Sequence, residues 1–294
     1  MDSSSPLAIA DPAQIAAASA AQGGITIRPL ESLANFQACV AVQNAVWGPS
    51  FGEAVPVSLL QVATYLGGLA IGAFNDEGAL LGFVFGLTGV QAGRAVHWSH
   101  LLGVVAAARN LGLGRLLKEH QRVELARAGI DEMRWTFDPL IAKNAHLNLN
   151  LLGARVVRYA PDMYGTTSSP MHHGLATDRL VVACATTRAF APDTHFPAPA
   201  GVMDEPLLTL EPQAGDIVVD RDGGGTAESR IRLEIPTDFQ QLMAQFPARA
   251  AAWHAAVRTH FLWSIDRGYE VVGLRRDPIA SRSFYVLALK QDTA

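Results

Sequence analysis

The stretch VVAAARNLGLGRLLKEH, residues 104–120, constrains the fold of this chain more than any other. The apolar run AVHWSHLLGVV leads into it as a strand. Leu113, Leu116, Leu117, His120 and Val123 then recur on one face of a helix. Gly112 and Gly114 stand where the helix begins, although glycine is a poor helix former. Glycines there let the backbone turn tightly and approach a ligand with no Cβ in the way. The helix start bares unpaired N–H groups and the positive end of the dipole, which together bind phosphate or pyrophosphate. Arg109, just ahead, adds a charge-assisted contact, and Arg115 and Lys118, one turn on, are placed to meet an outlying phosphate.

Other phosphate motifs fit poorly. A P-loop needs Gly-Lys-Ser/Thr after its spacers, and no such run is present here. A dinucleotide fingerprint wants a third glycine, where this chain has Leu117. The formal net charge of −4 argues against a broad nucleic-acid surface, so any anion site is local. Cys39 and Cys184 lie far apart and fit no metal spacing; they read as buried thiols of a reduced, cytoplasmic protein. His172-His173 are adjacent in sequence, a spacing that rarely chelates one metal, and read as surface residues. Residues 1–24 lack the basic start and apolar run of a secretory signal and are expected to form a disordered tail. No apolar run approaches the ~18 residues of a membrane span.

Hydrophobic periodicity gives the order of elements. ITIRPL is a strand, ESLANFQACVAVQNAVWG and PVSLLQVATYL are helices, and GGLAIGAF and ALLGFVFGLTG form a hairpin around the turn NDEG. After the glycine loop and its helix, DEMRWTFDP is a strand closed by Pro139, AKNAHLNLNLLGA a short helix ended by Gly153, and RVVRYAP and DRLVVACA are strands. Residues 191–230, rich in Pro, Asp and Gly, read as a linker or long loop. The tail, 231–294, is a β-α-β-β half-domain whose order repeats that of the middle segment: Gly153-Ala-Arg-Val-Val is matched by Gly268-Tyr-Glu-Val-Val. The repeat reading stands beside the plainer one, that any β-α-β-β unit looks alike. Trp253, Phe261 and Trp263 on the tail helix either pack its core face or line an acceptor pocket.

The pattern Arg109-x-x-Gly112-x-Gly114 between strand and helix, set in this order over residues 25–160, resembles the GNAT superfamily of acyl-CoA N-acyltransferases, whose acyl-CoA-binding domain would span residues 25–190. The run WTFDPLIAKNAHLNLNLLGA is similar to a bacterial branch of GNAT proteins with a C-terminal extension. The resemblance implies an α/β (α+β) fold: a mixed, mainly antiparallel sheet with a splayed central strand pair, plus the C-terminal β-α-β-β extension. It also implies that acetyl-CoA or another acyl-CoA is the cosubstrate, held by Leu102, Val104, Arg109, Asn110, Leu111, Gly112, Leu113, Gly114, Arg115 and Asn144, with no metal.

In that reading an amine attacks the thioester directly, a backbone N–H stabilises the oxyanion, and no protein nucleophile is required. His100 holds the position, four residues before Val104, where many members carry a carboxylate, and is the expected base; a hydrogen-bonded strand histidine is the plainer reading. His97, three residues earlier, points to the opposite face. The usual thiol-protonating tyrosine is replaced by Leu149, which leaves Tyr159, Tyr164 or water for that step. Asp138 either holds the acceptor amine or caps a turn, and Arg179 and Arg258 either clamp a substrate carboxylate or are solvated. The expected acceptor is a small amine, an amino acid first, and the acyl group acetyl or larger, such as succinyl. No nucleic-acid or membrane partner is expected, and a homodimer is left open. The rival reading is an acyl-CoA-binding or sensing protein that does no chemistry.

Overall fold

The computed structural model describes residues 24–49, 51–165, 174–188, 190, 207–210, 217–220, 229–277 and 279–290. The expected tail 1–24, except Gly24, and the pair His172-His173 lie outside the described residues. The chain divides into two compact units. One comprises residues 1–135 with 183–190, the other 136–182 with 191–294. The segment from Thr136 to Val182 thus groups with the C-terminal extension.

The first sheet contains β1 (Thr26–Pro29), β2 (Leu69–Phe74), β3 (Leu80–Gln91), β4 (Arg94–Val104), β5 (Glu132–Phe137), β6 (Arg155–Ala160) and β7 (Arg179–Ala185), in the order β1-β2-β3-β4-β5-β7-β6. β1 to β4 pair antiparallel in sequence, and β4 and β5 pair parallel. This is the mixed, mainly antiparallel sheet expected. Asn75 builds the hairpin turn: its side chain accepts from Ala79 N at 2.7 Å, and its backbone N–H donates to Ala79 O.

Helices cover both faces of this sheet in the N-terminal unit, which explains why β2 and β3 read as unbroken apolar runs. α1 (Leu33–Trp47), capped by Ser32 on Asn35 N, and α2 (Val57–Tyr65) bury Phe36, Cys39 and Leu60 against Phe83 and Phe85. On the other face α3 (Leu113–Arg127) buries Leu113 and Leu117 against Ile71 and Val84.

In the C-terminal unit, α4 (Ala142–Ala145) continues as a π-helical turn, His146–Leu151, and ends before Gly153 in the left-handed region. A second sheet has the order β11-β12-β10-β8-β9, with β8 (Leu207–Leu210), β9 (Ile217–Asp220), β10 (Arg230–Ile235), β11 (Tyr269–Asp277) and β12 (Arg282–Leu289). α5 (Phe239–Gln245) and α6 (Pro247–Asp266) connect β10 to β11. The stretch read as a linker contains two short antiparallel strands, β8 (Leu207–Leu210) and β9 (Ile217–Asp220). The strands are four residues long, LLTL and IVVD, and flanked by Pro, Asp and Gly, so turn signals masked them. The middle and the tail share one strand order, first-third-second: β5-β7-β6 and β10-β12-β11. That shared order agrees with the half-repeat.

Phe261 is buried between Tyr159 (ring centroids 4.9 Å, stacked) and Tyr285, and Trp263 stacks on Tyr269. These aromatics pack the core face of α6, the first of the two readings made for them. Asn150, in the π-turn, donates to Leu274 O (2.7 Å) and accepts from Leu274 N (3.2 Å), as a strand neighbour would. Tyr285 Oη donates to Pro139 O at 2.8 Å. The extension therefore braces the segment that begins at the end of β5.

Candidate active site

The loop between β4 and α3 reverses the chain within a few residues. A short 3-10 turn, Ala106–Ala108, is followed by Arg109, extended and exposed. Asn110 has φ +69° and Gly112 φ +75°, so two left-handed residues reverse the chain. Gly112 is the N-cap of α3 and brings no capping side chain. Arg115 N and Leu116 N both donate to Gly112 O (3.0 and 3.2 Å), so that α3 starts directly at the left-handed glycine. Gly114 has no special φ. A β-carbon there would meet only Leu102 Cδ2, at 3.6 Å, an ordinary contact. The protein itself therefore does not require glycine at 114.

The strand leading into this loop has one open edge. β4 is paired with β3 from Arg94 to Val104, but its ladder with β5 comprises His97↔Met133 and Trp98↔Arg134. From Ser99 to Val104 the backbone groups on that edge are left for another partner, which an extended ligand can pair with as a strand would. Leu102 and Val104 belong to this stretch and pack on the α3 face.

His100 sits in the same stretch as the extra residue of a β-bulge: Phe85 pairs with Leu101 and Gly86 with Ser99. The bulge leaves His100 exposed, its ring edge-on to Phe85 with centroids 6.3 Å apart. Although the residue is exposed, the protein packed around the ring, Phe85 among it, partly desolvates the imidazole and lowers the His100 pKa against the opposing charge of Glu53, so the imidazole is neutral at neutral pH. His97 takes the other face and is fully buried. Its Nε2 accepts from Gln121 Nε2 and its Nδ1 bonds Thr88 Oγ1, both at 3.0 Å. Burial, helped by Lys118, pushes its pKa down to about 3.

Lys118 does not meet a phosphate. It is on the sheet side of α3, buried, donating to Ser99 Oγ at 2.7 Å with Nζ 4.1 Å from the Trp135 ring. Arg115 is exposed. The correction is a matter of helical phase: three residues from Arg115 the helix surface has turned toward Leu117 and the core.

In the C-terminal unit the expected clamp is occupied from within. Asp178, buried, accepts two bonds from Arg258, one of them from Nε at 2.8 Å, and one from Tyr159 Oη. Asp162 N donates to it at 2.9 Å. Burial alone would raise the Asp178 pKa; the bonds from Arg258 and Tyr159 outweigh it and hold the carboxyl below its usual range. Arg258 is thus committed to Asp178, and Tyr159, with its pKa raised by burial and by that carboxylate, is a packing and anchoring residue. Sequence reasoning singled out Arg258 and Tyr159 without the carboxylate that holds them; its only signal was Asp178 beside Arg179. Asp138 accepts from Leu140 N at 2.8 Å, a turn cap, and lies 3.9 Å from Arg179; burial raises its pKa against the Arg179 charge. Tyr164 keeps an exposed side chain, its Oη 3.4 Å from Thr136 Oγ1 and its ring facing Arg179. Asn144 is exposed on α4, and Leu149 is buried in the π-turn.

No family model and no curated protein matches the chain. Solved structures similar to it include the ribosomal-protein-S18-alanine N-acetyltransferase from Escherichia coli, 19% identical over 58% of this chain and 97% of that one, TM-score 0.43. An N-acetyltransferase from Staphylococcus aureus is 14% identical over 56% of this chain and 99% of that one, TM-score 0.45. Aminoglycoside 6'-acetyltransferase type Ii is 15% identical over 55% and 97%, TM-score 0.43. These likenesses cover little more than half of the chain. The mixed, mainly antiparallel sheet, with two paired positions between β4 and β5, has the α/β class expected from the sequence.

Proposed function

We propose that this protein is an acyl-CoA-dependent N-acyltransferase that passes an acetyl or larger acyl group, such as succinyl, to a small amine. The observation that carries the proposal is the start of α3 at Gly112, which has φ +75° and no capping side chain, directly after a strand whose ladder with β5 comprises His97 and Trp98. The first binds the pyrophosphate and the second the pantetheine arm. Arg109 and Arg115, both exposed, supply charge. In the reaction His100 takes a proton from the ammonium. The amine nitrogen then bonds to the thioester carbon and gives up its second proton as the C–S bond breaks, and the leaving thiolate takes up a proton, so that one proton passes net from nitrogen to sulfur. A neutral His100 suits the first role. Tyr159 keeps its hydroxyl on Asp178, and water supplies the last proton.

The test is CoA release from acetyl- and succinyl-CoA, followed with a thiol reagent, against a panel of amines. Amine-dependent release lost in His100→Ala but not in Tyr159→Phe supports the assignment. One observation favours the second reading, an acyl-CoA sensor: Leu149 stands where a proton donor is expected and is buried. Tight acyl-CoA binding with no release for any amine would favour the sensor.

A further inference from the structure

Between Glu31 and Asp76 the chain carries a single charged residue, Glu53. An isolated carboxylate in so long an uncharged run is costly to place anywhere but in water or beside a cation. It is exposed, on the loop between α1 and α2, and that loop is firmly held. Gln43, fully buried, bonds both backbone groups of Val55 (2.7 and 3.2 Å). Phe51 N donates to Gly48 O, Ala54 N to Phe51 O, and the Phe51 ring stacks on Trp47 with centroids 5.1 Å apart.

The loop lies over the same face of the sheet as His100. Trp47 meets Phe83 edge-on at 6.1 Å, and His100 meets Phe85 edge-on, two residues along the same strand. Trp47 also lies against β4 itself: a β-carbon at Gly103 would stand 2.9 Å from its Cη2. Glu53 is close enough that its charge favours the protonated form of His100. One face of the N-terminal unit thus gathers an exposed carboxylate, a histidine at a bulge and a stacked pair of part-exposed aromatic rings.

We propose that Glu53, His100 and the Trp47–Phe51 pair form the acceptor subsite, and that it takes a primary ammonium carried on an aromatic or apolar body with no carboxylate beside the amine. Glu53 receives the ammonium, the rings receive the body and add a cation–π contribution, and the lone negative charge repels an α-carboxylate. This rests on the acyltransferase reading and narrows its acceptor away from amino acids. Glu53 touches substrate without exchanging its proton.

The test is equilibrium binding of phenethylammonium to the cofactor-free protein, read by tryptophan fluorescence, with Trp47→Phe to identify the reporting ring. Phenethyl alcohol and phenylalanine serve as the neutral and zwitterionic comparisons. Wild type is expected to bind the amine about two- to fivefold more tightly than either comparison, the range of an exposed ion pair. Glu53→Gln brings the amine to the level of the alcohol, Glu53→Asp restores part of the difference, and acetyl-CoA binding is unchanged in both. Equal affinity of wild type and Glu53→Gln for the amine overturns the proposal. So does phenylalanine binding as tightly as the amine, or a wild type that shows no saturable signal. Should Glu53→Gln not fold, the amine–alcohol difference in wild type and its loss at high salt decide the question. Intact Glu53-dependent binding without CoA release for any amine would remove the transfer reaction and leave the subsite.

Discussion

Gly114→Ala separates what the fold needs at the loop from what a ligand needs. The new Cβ meets only Leu102 Cδ2, at 3.6 Å, and the residue lies in the first turn of α3 with an ordinary φ. Replacing a helical glycine by alanine gains up to about 1 kcal/mol, so the variant should be as stable as wild type or melt up to about 4 °C higher. If the Gly114 amide bonds a phosphate oxygen, the methyl group stands in the approach path. Losing one hydrogen bond to a charged group costs about 1.5–3 kcal/mol, or about 10- to 150-fold in Kd. The two observables therefore move in opposite directions. Differential scanning fluorimetry without ligand gives the first, and calorimetric titration with acetyl-CoA the second. A variant that is stabilised and binds acetyl-CoA as wild type does would refute the assignment of this helix start to pyrophosphate.

Further outcomes are expected elsewhere. His97 is held at about pKa 3 when folded and returns to about 6.5 when unfolded. The unfolded chain therefore binds more protons between those values, and stability falls as pH drops from about 6.5 toward 3. Urea midpoints at pH 7 and pH 5 should differ less in His97→Gln than in wild type, and an unchanged difference would remove His97 from the acid limb. Arg258→Ala leaves buried Asp178 without its guanidinium and should cost about 2–3 kcal/mol, less than a fully buried pair because Arg258 is 31% exposed. Undiminished stability together with a raised acceptor KM would reinstate Arg258 as a substrate clamp. Gly103→Ala drives a methyl group into Trp47 and Phe83 and should cost about 1–3 kcal/mol with a shift in tryptophan emission; chemical denaturation and fluorescence check both.

Much of this was legible in the chain because period-2 and period-3.6 patterns report which face is buried, a local property. The hairpin at Asn75, the strand ending at Pro139 and the glycine pair ahead of α3 all follow from that and from turn chemistry. What escaped depends on partners distant in sequence. Asp178 engages Arg258 and Tyr159 across 80 and 19 residues. Lys118 looked like a phosphate ligand because a lysine's spacing gives no sign that Ser99 and Trp135 will receive it. The bulge at His100 inserts one residue into an otherwise regular alternation, and its sequence signal, Gly86 opposite, is one glycine among many. Glu53 was overlooked for the opposite reason: its signal is the absence of charge around it, which no motif encodes.

The central claim is that the start of α3 holds the pyrophosphate of an acyl-CoA, and its most direct test is calorimetric titration of the full chain with acetyl-CoA beside 3',5'-ADP and S-acetyl-pantetheine. The account predicts saturable one-site binding of acetyl-CoA that weakens sharply for S-acetyl-pantetheine, which lacks the pyrophosphate, and weakens with salt. Absence of binding at millimolar acetyl-CoA, or S-acetyl-pantetheine binding as tightly as the whole cofactor, would contradict it.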